Sequence, residues 1–204
     1  MNKAFLYFIV VLYSLSLLWI EWQFSQSGVR LYVTDIKGDV FLYAIHTTLN
    51  MSLLWGTALL FLVSLQCIDK YKEKLFFYFA LSQIVLFVYL GFDERFLIHE
   101  LVGRILGIND AYFLLLIGCT EAVILAFFGQ LSQKSAKTLL FLGLASILFL
   151  IMILIDAKFP AKMQFRLSFE ELTKLWASLF LFLFAWEILI QKIQTLKSLS
   201  RSSA

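Results

Sequence analysis

The 204-residue chain predicts an all-α fold, a polytopic membrane bundle of six transmembrane helices, and three observations carry that reading. Hydrophobic residues make up 61% of the chain and charged residues 15%, where soluble domains hold about half and about a quarter. Mean hydropathy is +0.87 and 22 residues are Phe, more apolar surface than a core of this size hides, so the outer surface has to face lipid. Charge-free runs then recur at the length a helix needs to cross about 30 Å of hydrocarbon. Barrel strands would be about ten residues long and alternately polar, which these continuous runs are not.

Taken in order, residues 4–20, 41–66, 75–92 and 138–155 hold no Asp, Glu, Lys or Arg. Each reads as a span. Residues 111–131 and 174–192 complete the six, although one acid interrupts each apolar stretch, Glu121 and Glu187 respectively. The first span is longer than a signal-peptide core, and "WIEWQFSQSG" after it offers no A-x-A site, so it is expected to remain as a helix. Pro160 falls in a loop. No repeat or low-complexity linker divides the chain, which reads as one domain over residues 1–204.

Charge gives the orientation. With the N-terminus in the cytoplasm, the inner segments hold nine Lys or Arg against two acids, three of the lysines within "DKYKEK" at 69–74. The outer segments hold eight basic residues and ten acids, Asp35 and Asp39 among them. A dense basic cluster in a short loop is the pattern of the cytoplasmic side, so both termini are expected in the cytoplasm, in the cell's inner membrane. The lipid bilayer is the partner this composition implies; no basic run or motif points to nucleic acid, and nothing specifies a protein partner. Two cysteines, Cys67 and Cys119, fall at different depths and read as small packing residues.

Chemistry gathers at the outer side. In "GFDERFLIHELVGR", residues 91–104, a helix continuing past Gly91 would put Asp93, Leu97, Glu100 and Arg104 on one face, with Glu100 and Arg104 as an i, i+4 pair. Asp93, Glu94 and Glu100 are the candidate acid/base residues. On the second span His46, Asn50 and Thr57 share a face. Together His46, His99, Asp93 and Glu100 offer ligands for a divalent metal such as Zn, which would activate water against an ester or amide. Glu121 sits near mid-membrane, where a carboxylate is costly and functional by default, and is the candidate for proton or cation transport.

Each of these features has a plainer explanation. Residues 93–104 also read as an interfacial turn with solvated charges, His46 and Asn50 as glue between helices, and Glu121 as a neutral packing carboxyl. Glu187 can reach Lys192 or the headgroups. "SFEEL" is a capping box, with Ser168 three residues before Glu171, and places Glu170 and Glu171 at a helix N-terminus. "HELVG" lacks the second histidine of H-E-x-x-H, and no nucleophile elbow, P-loop or C-x-x-C occurs.

The pattern D-E-x-x-x-x-H-E, matched by Asp93, Glu94, His99 and Glu100, with a later E-E-L-x-K at Glu170 to Lys174, resembles a group of uncharacterised bacterial multi-pass membrane proteins. "HTTLN" upstream of "DE" is also similar to the ceramidase-like membrane hydrolases, whose zinc site includes a later H-x-x-x-H pair. This chain has no histidine after His99, so that metal site does not transfer intact. The leading expectation is a membrane-embedded, metal- or acid/base-dependent hydrolase-like or lipid-handling protein with its site on the extracytoplasmic side. A small proton- or cation-coupled transporter or channel using Glu121 is the alternative, and a membrane scaffold or assembly partner is the third class.

Overall fold

A computed structural model describes residues 3–33, 44–160 and 163–202. Asp35 and Asp39 lie outside the described residues. The elements are α1 (Lys3–Val33), α2 (Ile45–Gln66), α3 (Lys74–Phe96), α4 (Ile98–Leu106), α5 (Asp110–Phe128), α6 (Ala136–Lys158) and α7 (Arg166–Ser202), with one 3-10 turn at Leu131–Gln133. All but α4 are long and apolar enough to cross a membrane, which makes six spans. The described residues contain no strand.

Helices α1, α3, α6 and α7 overrun the expected spans, whereas α2 starts at Ile45 and α5 ends at Phe128, inside theirs. A charged residue ends hydrocarbon, not helix, because the backbone ladder continues into the headgroup layer. Thus α7 begins at Arg166 rather than 174 and runs 37 residues, about 55 Å at 1.5 Å per residue. The helix does continue past Gly91, but only to Phe96: Leu97 adopts a left-handed conformation, φ 51°, and closes α3 before α4 begins. Asp93 and Glu100 therefore do not share a helical face. Glu100 and Arg104 form no ion pair among the described residues.

In α1 the backbone reverses at Ser25 (φ 59°, ψ −170°). Residues 26–33 return over the start of α2, where Thr47 Oγ1 donates to the Val33 carbonyl at 2.8 Å and the Ala44 N–H to the Leu31 carbonyl at 3.2 Å. Val29 and Val33 pack there with Leu17 and Leu172. That segment roofs one end of the bundle.

Helix α7 is the central element, packed by α6, α2 and α1, and half of its most apolar window is buried, against 17% for α5. Phe61 on α2 is fully buried; it stacks on Phe87 of α3 (centroids 6.2 Å, 5° between planes) and meets Phe79 edge-on. Lipid tails are as apolar as these side chains, so dispersion and shape, more than water exclusion, hold such contacts. Close approach of α2 and α3 depends on Gly91: a Cβ there would run into the indole nitrogen of Trp55.

Candidate functional site

At the roofed end, α1, α2, α3 and α7 each contribute to one buried polar chain. Tyr13 Oη lies 3.0 Å from His46 Nδ1, and His46 Nε2 lies 3.1 Å from Glu171 Oε2. Lys174 Nζ joins Glu171 at 2.9 Å to Glu94 of α3 at 3.2 Å. His46 is completely buried. Beside this chain Arg166 bridges Asp156 of α6 (2.8 Å) and Glu170 (3.1 Å). Glu21 accepts the Phe165 N–H at 2.7 Å, and its second oxygen is buried without a partner. Charges taken out of the aqueous phase persist only when paired in this way.

Asp93 and His99 form a second unit. Asp93 Oδ2 lies 2.7 Å from His99 Nδ1 while Oδ1 accepts the His99 backbone N–H at 2.7 Å. The left-handed turn at Leu97 is what brings the imidazole back onto a carboxylate six residues earlier. Asp93 is buried, so it holds the ring in a fixed orientation.

The expected four-residue metal set is divided between these units. His46 pairs with Glu171 and Tyr13, His99 with Asp93, and Glu100 stands on α4. Among the described residues no group of three or more His, Cys, Asp or Glu side chains is arranged to hold a metal ion. Asn50, one turn below His46, is buried with neither amide atom partnered, so it does not act as the interhelical hydrogen bond its position invites.

Three further expectations are corrected. "SFEEL" is not a capping box: α7 starts two residues before Ser168, whose hydroxyl is buried without a partner. Glu171 turns inward to His46 and Lys174 instead. Glu187 pairs with Lys3 and, at 3.2 Å, with Lys137, whereas Lys192 pairs with Glu73. Lys174, Tyr13 and Arg166 are residues that sequence reasoning missed, and of these Lys174 left a sign. Its signal was the i, i+3 spacing from Glu171 inside an apolar helix, which marks a cation that needs an acid on a neighbouring helix as well.

Below the polar chain lies an apolar cavity of about 260 Å³ lined by α3, α5, α6 and α7 and open at the protein surface near Cys119 and Ser146. Its stripes lead up to the charged rim. On α3, Gln83, Phe87 and Leu90 line it and Glu94 follows one turn on. On α6 the sequence is Phe149, Ile153 and then Asp156; on α7, Phe184 and Leu181 and then Lys174 two turns above. Such i, i+3, i+4, i+7 spacings place the rim residues over the cavity-lining faces. In its wall Gln83 Nε2 donates to Glu121 Oε1 at 2.7 Å, and Glu121 Oε2 is buried without a partner. Glu121 also lines a groove between α3 and α5, so it stands between that groove and the cavity.

These features define a class: a six-span membrane bundle with a polar rim over an apolar chamber. The chain belongs to the family described as a domain of unknown function, DUF8692, which matches residues 4–188 and so takes in every rim residue described above. No curated protein and no solved structure matches the chain.

Proposed function

We propose that this protein handles an amphipathic, lipid-like molecule, seating the hydrocarbon in the chamber between α3, α5, α6 and α7 and the head among the rim residues. The observation that carries the reading is the coincidence of the apolar cavity with charged groups continuing the same helix faces, on α3, α6 and α7. A site that is mostly apolar with a few fixed polar groups is the usual form of a small-molecule pocket. Acids slightly outnumber bases at this end of the bundle, with Glu21, Asp93, Glu94, Glu100, Asp156, Glu170 and Glu171 against Arg30, Arg95, Arg104, Lys158, Arg166 and Lys174, so a head bearing an amine or hydroxyl suits it better than a carboxylate.

The rim also supplies acid/base chemistry. His99, whose imidazole Asp93 orients through Nδ1, is the proposed general base. It would take the proton of a water attacking an ester or amide in the head and return it to the leaving group, with Glu94 and Glu100 as further acid/base groups and His46 in the polar chain behind them. By the density of Lys in residues 69–74 the rim faces the extracytoplasmic side of the inner membrane, with both termini in the cytoplasm.

Cys119 lines the chamber and tests the reading. In a Cys67→Ser background in lipid nanodiscs, dodecylamine and dodecanol are expected to slow alkylation of Cys119 by an apolar maleimide more than laurate does. Ser146→Phe, which fills the cavity wall, should abolish the protection. If none of the three amphiphiles slows the reaction, the chamber does not bind chains and the proposal fails. His99→Ala should retain protection while losing any turnover of the bound amphiphile.

The place of Glu121 favours a second reading, proton or cation transport, because an acid with an unpartnered buried oxygen separates a groove from a cavity. Proteoliposome flux that Glu121→Gln abolishes would support it, and flux unchanged by that substitution would remove it.

A further inference from the structure

The end of the bundle opposite the rim carries a pocket of about 590 Å³ where the α2–α3 loop, the α5–α6 turn and α7 meet. Its lining is polar and basic, with Lys72, Lys74, Lys134 and Lys192 around Glu73, although the exposed Lys72 ammonium also lies 3.9 Å from Asp69. Two of the four are held in place. Lys192 Nζ lies 4.1 Å and Lys134 Nζ 5.2 Å from the centroid of the same buried ring, Phe76. Lys192 is ion-paired to Glu73. A ring quadrupole can stabilise one ammonium well, but two cations over one ring repel each other.

That arrangement leaves positive charge without a counterion. Burial, together with the nearby Lys192, pushes the Lys134 ammonium down to about 8 despite the opposing pull of Glu73. Gln130, in a left-handed turn at φ 49°, and Gln133 add side-chain amides at the wall, and Gln191 is already committed to Thr138 at 2.9 Å. An anion seated between Lys134 and Lys192 would neutralise Lys134, share Lys192 with Glu73 and accept hydrogen bonds from the amides. The pocket lies at the start of α3 and beside residues 191–195 of α7, past the apolar part of both helices, and basic pockets at such positions between membrane helices take phosphorylated heads.

We propose that this pocket is a phosphate-binding site in which Lys134 and Lys192 are the principal ligands. The group comes from an anionic phospholipid or from free phosphate, and the chemistry at the protein is the same. The site is independent of the chamber and of the rim.

Native mass spectrometry of the delipidated protein, titrated with phosphatidylglycerol, phosphatidylcholine or inorganic phosphate, tests it. Phosphatidylglycerol is expected to bind about tenfold more tightly than phosphatidylcholine, equivalent to about 1.4 kcal/mol. Lys134→Gln and Lys192→Gln should each bring it near the phosphatidylcholine level, whereas Lys134→Arg retains the preference and Lys70→Gln, outside the pocket, leaves it unchanged. Loss of lipid binding on adding millimolar phosphate identifies the free anion as a ligand of the site; persistence identifies the lipid head. Thermal melting in detergent shows whether each Gln variant is folded, and if either is not, Lys74→Gln at the exposed edge, with a smaller loss, replaces it. Equal binding of both lipids by the wild type, or a preference indifferent to Lys134 and Lys192, overturns the proposal.

Discussion

Lys174 holds the rim together: one ammonium pairs with Glu171 of its own helix and with Glu94 of α3. Lys174→Met leaves both carboxylates in a poorly solvated place with His46 as the one remaining partner of Glu171. Removing one member of a buried ion pair costs about 3–5 kcal/mol, and unfolding in mixed micelles should show a loss of that size. The paired change Lys174→Met with Glu171→Leu removes the stranded acid with the base, so its loss should fall short of the sum of the single losses by about 0.5–3 kcal/mol. Additive losses would mean that the two residues do not share a network. His46 was legible in the sequence because a histidine inside an apolar run is costly and therefore conspicuous, and Asp93 because it opens a dense charged stretch directly after one. The partners of His46 were not, since Glu171 and Lys174 are ordinary residues at the start of a span until tertiary packing turns them inward. Lys134 gives the pH test. Its ammonium, near 8, is charged at pH 7 and largely neutral at pH 9, so lysine-dependent anion binding should weaken across that interval. Lys72, Lys74, Lys192 and Glu73 face the same pocket and are unchanged in Lys134→Arg, whose weaker pH dependence would assign the effect to Lys134.

Among the elements, α5 is the least held. It has few buried positions, and the Gln83–Glu121 hydrogen bond ties it to α3 across the chamber wall. Hydrogen bonds between membrane helices contribute about 0.6–2 kcal/mol. Gln83→Leu should therefore speed hydrogen exchange within α5 several-fold and raise Cys119 alkylation, with α7 unaffected; unchanged exchange would show that apolar contacts alone fix α5. The α2–α3 pair lies at the other extreme. Gly91→Ala forces Trp55 off its position and should cost about 1–3 kcal/mol, as overpacking does, and a smaller residue at Trp55 should recover most of it. The number and order of spans were readable because hydrocarbon length is a one-dimensional property of the chain. The break at Leu97 and the reversal at Ser25 were not, because neither residue is a glycine or proline and the left-handed conformation is imposed by what the flanking segments bond to: Asp93 with His99, and residues 26–33 with α2. The capping-box motif misled for a related reason. Ser168 and Glu171 have the right spacing, yet the helix had already begun at Arg166.

For the whole molecule, an acid-rich, roofed rim and a lysine-rich pocket occupy opposite ends of the bundle, and orientation decides which leaflet meets each. A molecule drawn to the rim and an anionic head drawn to the lysines would then approach from different sides of the membrane. In the proposed orientation the lysine end faces the cytoplasm, where anionic heads would add about 1 kcal/mol per nearby Lys. Leu97, exposed at the α3–α4 junction, and Lys70, in the α2–α3 loop, report the two sides. In a background with Cys67 and Cys119 replaced by serine, a membrane-impermeant maleimide added to intact cells, or to spheroplasts where an outer membrane is present, should label Leu97→Cys at once and Lys70→Cys only after the membrane is permeabilised. The reverse pattern would place Asp93, His99 and Glu94 in contact with the cytosol. It would also put the phosphate pocket on the far leaflet, so an extracytoplasmic acid/base site would be abandoned while the chamber and the lysine pocket could each still be judged by its own binding test.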